Sequence, residues 1–247
     1  MYSQCEFGGW LLENKIDGTQ SEYVRIPLAD ASLYLISQGA DEDTLVMFSD
    51  VLPTGFETGV LKGKIKLGDI LAIVGAGPIG LAALLTAQFY SPPKVIMIDL
   101  DDYRLEVAKH LGATATINDK NNTSVQDVLS LTNQKGVDAA IEAVGTLETF
   151  DICQSIIGPG SHIANIGAHG KSAGLRLEKL WDRNITLTTA LVDTYATPTL
   201  LKAFMSGKLD PKQLITHHFE LKDVLEAYKT FGDAANQHAL KVILKNT

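Results

Sequence analysis

This sequence predicts an α/β fold built on a doubly wound parallel sheet, and three observations predict it. Ile70-Leu-Ala-Ile-Val74 and Lys94-Val-Ile-Met-Ile98 are short apolar runs, the pattern of strands buried on both faces of a sheet. Such runs alternate with stretches of helical character along most of the chain. Between the first two lies Gly75-Ala-Gly77-Pro-Ile-Gly80, a turn leading straight into an Ala/Leu-rich helical run.

Each residue of that turn has a physical task. Gly75 permits the tight bend, Gly77 lets backbone approach a pyrophosphate, and Gly80 lets the helix pack close to the strand. Pro78 suits a first helical turn, where its missing N–H has no intrahelical partner. With Ile79, these residues point free N–H groups and a partial positive charge at phosphates. A glycine triplet alone is weak evidence, but the second strand ends in Asp99, about 20 residues beyond the glycines. A carboxylate there can accept from the adenosine ribose hydroxyls and repels a 2′-phosphate, so NAD is expected over NADP. Residues 70–93 carry no charge and could span a bilayer by length. The Gly-x-Gly-Pro break and the strand-like opening argue for a soluble unit instead.

Composition narrows the function classes. A 247-residue chain can bury a sizeable core, as one domain or two. A formal net charge of −8 argues against nucleic acid or an anionic membrane surface as partner. The two cysteines, Cys5 and Cys153, make neither a disulfide framework nor a Cys-x-x-Cys knuckle. No basic region followed by an apolar one opens the chain, so a cytoplasmic protein is expected.

Taken in order, the start is loop-like as far as Trp10. Gln20–Ile26 reads as a strand, Ala29–Leu33 as a turn, and Asp41–Ser49 as a helix capped by Asp41. Asp50 and Thr54 stand out as polar residues in the apolar stretch before the glycine-rich turn; the plain reading is an N-cap and a helix-face hydroxyl. After Asp99, a helix over Tyr103–His110 stops at Gly112, before a strand at Ala115–Ile117. A helix from about Ser124 to Thr132 precedes the strand opening at Val137, which runs out at Ala143-Val144-Gly145. Glu142 is read as an N–H-bonded or solvated acid rather than a functional one. Thr149–Ile157 reads as a helix stopped by Gly158-Pro-Gly160, and Ser161–Gly167 and Ile185–Leu191 as the last two strands of the sheet. The tail holds a helix capped by Thr197 with Pro198 at its first position, a strand at Leu214–Phe219 and a strand at Ala239–Leu244. Between the strands lies an amphipathic helix with Val224, Leu225, Tyr228 and Phe231 on one face.

Several stretches together resemble the zinc-type medium-chain alcohol dehydrogenase family, in the branch with bacterial alcohol and polyol dehydrogenases. They are Asp17–Pro27, Ser49-Asp-Val-Leu-Pro-Thr-Gly55, Gly75–Gly80, Asp99-Leu-Asp-Asp-Tyr-Arg104 and Gly136–Gly145. The resemblance implies a Rossmann domain over residues 50–190. Residues 1–49 and 191–247 are then parts of a discontinuous, mainly β catalytic domain. It places Asp50 at the third catalytic-zinc ligand, Thr54 beside the nicotinamide and Arg104 at the adenosine ribose. Ala143, Val144, Ile166, Gly167, Ala190 and Leu191 line the nicotinamide end, and Lys241 is a further phosphate candidate.

The family also has a segment upstream of the position of Met1, with a Cys ligand, a Gly-His-Glu motif and most of a structural zinc loop. Cys5 resembles the last cysteine of that loop. The expectation is an N-terminally truncated member with NAD as cofactor, an incomplete zinc site at Asp50, and no zinc bound. None of the six histidines reads as a replacement ligand; His217 and His218, adjacent on a strand, point to opposite faces, and only His169 invites attention. The expected activity is hydride transfer between an alcohol or polyol and NAD, in a homodimer or homotetramer joined at the Ile185–Leu191 edge. Two other readings stay open: a catalytically incomplete NAD-binding remnant or subunit, and a zinc-independent quinone-type reductase.

Overall fold

The structure, a computed structural model, describes residues 1–36 and 40–246. Its centre is a six-stranded parallel sheet of β1 (Ile70–Val74), β2 (Lys94–Asp99), β3 (Ala115–Asn118), β4 (Val137–Glu142), β5 (Ile157–Asn165) and β6 (Thr186–Thr189). The strand order is β3-β2-β1-β4-β5-β6. It reverses between β1 and β4, so the carboxyl ends of these two neighbours open a crevice.

Alternation along the strands builds two cores. Leu71 and Ile73 of β1 face one side, where they meet Leu52, Val60, Leu81 and Leu84. Ala72 and Val74 face the other, with Ile96, Phe150, Cys153 and Ile156. Burying each such large apolar side chain contributes roughly 1.5–3 kcal/mol. The helical stretch 51–61, π-helical over Thr54–Leu61, lies against helix Pro78–Ala87 so closely that a Cβ on Gly55 would stand 2.6 Å from the Ala83 nitrogen.

The tail adds β7 (Ile215–Glu220) and β8 (Lys241–Lys245), a parallel pair connected through helix Val224–Gly232. That helix turns Ala227 inward and leaves Leu225, Tyr228 and Phe231 exposed, so its expected apolar face is not buried among the described residues. Leu200, Leu209, Leu214 and Leu240 tie the tail into the first core. No helix among the described residues is long and apolar enough to cross a membrane.

Five local readings need correction. Gln20–Ile26 forms no strand: among the described residues no segment pairs with it, and Tyr23 is 91% exposed. Ala29–Ser32 is a single helical turn. The helix expected from Thr149 begins at Leu147, because the Thr146 side chain caps it reciprocally with Thr149. Gly158-Pro-Gly160 is not a stop; β5 already pairs with β4 at Ile157, and the ladder resumes at His162 after an irregularity that absorbs the intervening residues. Thr197 is also not the cap of its helix. It is the first helical residue, and its hydroxyl donates instead to the Phe48 carbonyl at 3.2 Å.

Candidate functional site: the crevice at the carboxyl ends of β1 and β4

The glycine-rich turn forms the floor of the crevice. Gly75 has φ +105°, a conformation that side chains rarely adopt, and a Cβ there would also stand 2.5 Å from Val144 Cγ2. A Cβ on Gly80 would overlap the Gly75 carbonyl oxygen, so only glycine lets the helix start this near the strand. Gly77 faces open space, with Arg104 Nη1, 4.0 Å from the position of a Cβ, as its only near neighbour. No side chain caps helix Pro78–Ala87, which leaves its first N–H groups, including that of Ile79, aimed at the crevice.

Two side chains of the β2 half complete this end. Asp99 accepts the Ala76 N–H at 2.6 Å through Oδ2, and those of Leu100 (2.8 Å) and Asp101 (2.9 Å) through Oδ1. Arg104 lies one turn into helix Asp102–His110, whose N-terminus is capped by the Asp101 carboxylate. Its Nη1 approaches the glycine-rich turn, and its Nε is buried without a hydrogen-bond partner. An orphaned guanidinium nitrogen beside an uncapped helix start is a site prepared for an anion.

The other half of the crevice follows β4 and β5. Ala143 donates its N–H to Val74 across the switch point, at 2.9 Å. Val144, half exposed, donates to Glu142 Oε1 at 2.9 Å, as Gly145 does at 2.8 Å. Ile166 and Gly167 both donate to the Glu142 carbonyl, which brings the loops after β4 and β5 together. Glu142 is fully buried and its carboxylate also takes the Thr149 hydroxyl, the N–H-bonded role expected of it. Ala190 and Leu191 follow directly on β6 at the same edge of the sheet, and Lys241 opens β8 opposite Ile215.

Asp50 and Thr54 are brought together, with the Thr54 hydroxyl donating to Asp50 Oδ1 at 2.9 Å. Asp50 is exposed at the start of the 51–61 helical stretch. Among the described residues no group of three or more His, Cys, Asp or Glu side chains could hold a metal ion. His218 pairs with Asp43 at 3.1 Å, and His217 contacts the Thr216 hydroxyl. Among these neighbours sequence reasoning missed Glu57, a 3% exposed carboxylate that receives the N–H groups of Asp193, Thr194 and Ala196. Burial pushes its pKa up, against the pull of those three donors. A lone acid inside the apolar run 51–61 was the available signal.

A family model described as "Zinc-binding dehydrogenase" matches residues 78–206. The chain is 35% identical over 243 residues to an alcohol dehydrogenase of Cupriavidus necator, covering 96% of this chain and 65% of that protein. It is 32% identical over 227 residues to an NADP-dependent isopropanol dehydrogenase of Entamoeba histolytica, covering 89% of this chain and 62% of that one. Among solved structures, zinc-dependent alcohol dehydrogenase 2 from Streptococcus pneumonia, in an apo form, is similar with a TM-score of 0.94 and 51% identity. That match covers 99% of this chain and 70% of the other. The chain thus spans about two thirds of the length of these relatives.

Proposed function

This chain belongs to the zinc-type medium-chain alcohol dehydrogenase family, and on that premise we propose that its crevice binds NAD, the cofactor with which a member holding a complete zinc site would exchange hydride with an alcohol or polyol. One observation carries the reading: Gly77 lies open at an uncapped helix start, under an arginine whose buried Nε lacks a partner. In this reading Gly75, Gly77, Pro78, Ile79 and Gly80 hold the pyrophosphate, with Lys241 as a further phosphate contact. Asp99 and Arg104 take the adenosine ribose. Ala143, Val144, Ile166, Gly167, Ala190 and Leu191 line the nicotinamide end, and Thr54 packs beside it. When bound, the nicotinamide supplies the hydride acceptor; the protein's part is to orient its ring and exclude water. Asp99 favours NAD over NADP by charge, a choice on which the family divides, as the isopropanol dehydrogenase of Entamoeba illustrates.

Zinc stands differently. A catalytic zinc takes three protein ligands and keeps one open position. Among the described residues only Asp50 stands at a family ligand position, and it is bonded to Thr54. The described residues do not fit a complete zinc site. The proposal is therefore that the 247-residue chain binds dinucleotide without oxidising alcohol. Residues 50–190 are the cofactor unit in this reading, and 1–49 with 191–247 are portions of a catalytic unit.

Fluorescence titration with NADH, elemental analysis for zinc and an alcohol oxidation assay on one preparation test both halves. Saturable NADH binding, with zinc well below one per chain and no turnover, is expected. Absence of NADH binding overturns the first half. Stoichiometric zinc together with NAD-dependent alcohol oxidation overturns the second.

A further inference from the structure

Beyond the crevice itself lies a polar cluster that the proposed chemistry does not use. Glu142 is 0% exposed, and its Oε2 has no hydrogen-bond partner. Beside it stands the imidazole of His169, whose Nε2 is 3.6 Å from that oxygen, beyond hydrogen-bond length but within reach of its charge. The same Nε2 lies 2.9 Å from Asn165 Oδ1, while Asn165 Nδ2 donates to the Gly167 carbonyl at 2.9 Å. A carbonyl can only accept, so the Asn165 amide turns its NH2 to Gly167 and its oxygen to the ring. Nε2 therefore carries a hydrogen, and Nδ1 is buried without a hydrogen-bond partner. The rings of Phe150 and His169 form a T-shaped pair, their centroids 5.9 Å apart.

This imidazole faces both loops at once. Through Asn165 it reaches Gly167, and beside it Glu142 holds the N–H groups of Val144 and Gly145. The loops are in backbone contact here: a Cβ on Gly167 would overlap the Gly145 nitrogen and Glu142 Oε2. A shift of the ring therefore moves the two loops relative to each other.

We propose that His169 is a positioning residue for the nicotinamide end of the crevice, its Nε2–H donated to Asn165 Oδ1 while the ring stands beside the buried Glu142 carboxylate. This rests on the dinucleotide reading above. In this proposal the ring acts through the loops that carry the lining residues. Two consequences follow: losing the N–H loosens the loops after β4 and β5, and the glycine-rich turn on β1 is unaffected.

The test compares NADH with ADP-ribose, which lacks the nicotinamide, by calorimetry on the wild-type chain and on His169→Phe and His169→Gln. Phenylalanine keeps a ring against Phe150 and removes the N–H, whereas glutamine keeps an amide donor. For His169→Phe the expected result is NADH binding weakened roughly tenfold, the weight of one hydrogen bond, with ADP-ribose binding within about twofold of wild type. His169→Gln should recover most of the NADH affinity. Equal weakening of both ligands, unchanged NADH binding, or a glutamine variant as poor as phenylalanine overturns the proposal. A wild-type chain that binds neither ligand overturns the dinucleotide reading instead.

Discussion

Asp99, at the end of β2, reaches across to the glycine-rich turn after β1 and accepts the Ala76 N–H at 2.6 Å. Its other oxygen takes the N–H groups of Leu100 and Asp101. Three of about four acceptor positions on the carboxylate are thus filled by backbone, which leaves about one for a ribose hydroxyl. One side chain shapes the turn and, in the proposed reading, also faces the ribose.

That double duty sets the first prediction. NADH should bind more tightly than NADPH, because a 2′-phosphate meets the like charge of Asp99. Asp99→Gly should narrow the gap mainly by weakening NADH, about tenfold or more, since it also frees Ala76; a hydrogen bond to a charged group is worth about 1.5–3 kcal/mol. Fluorescence titration of both cofactors decides. Equal affinities in the unmodified chain would sink the assignment.

Gly80→Ala should be far costlier than its one methyl suggests. The added Cβ meets the Gly75 carbonyl oxygen, a backbone atom held where β1 ends, so the helix must move off the sheet. A loss of about 3 kcal/mol or more is expected, at the upper end for overpacking. Gly170→Ala, with nothing within 4 Å of its Cβ position, should be close to neutral. Urea unfolding of the two variants side by side provides the check.

Glu57 gives a pH-dependent prediction. Its folded pKa is raised by burial, so between the unfolded value near 4.5 and the folded one the native state holds the extra proton. Its contribution is fully present below about pH 4.5 and is lost as pH rises through the folded pKa. Glu57→Gln does not titrate, and its NH2 faces backbone donors that now lack an acceptor. The variant should be less stable by about 1–3 kcal/mol at low pH, with the difference shrinking as pH rises. Urea melts at pH 4.5 and pH 7 measure this, and a difference that grows with pH contradicts it.

β6 lies at the end of the sheet, paired with β5 on one side and with no described strand on the other. Its four residues, Thr-Leu-Thr-Thr, contain neither proline nor charge, and an edge of this kind is an invitation to pair. A two-fold contact here would make at least a dimer. Light scattering at micromolar concentration should show it, and Leu187→Lys, on the 37% exposed side of the strand, should release monomer. A wild-type monomer under those conditions refutes the contact.

What the sequence by itself determined is everything written in short-range pattern. The strand–turn–helix unit from Ile70 to Ala87 was legible because buried strands read as apolar runs and because Gly75 and Gly80 answer local steric demands. Asp99 was legible by its spacing, and the Asp41 cap by the chemistry of helix starts. Only the tertiary structure decided who meets whom across long separations. Gln20–Ile26 has the composition of a strand, but a strand exists only with a partner, and pairing is not written in one segment. Thr197 looked like a cap until the fold brought the Phe48 carbonyl to it. Glu57 found its three donors more than a hundred residues away, and His169 found Glu142 only because β4 and β5 end side by side. A buried polar group must take whatever partner the packing leaves within about 3 Å, and that choice is made by the assembled sheet rather than by neighbours in the chain.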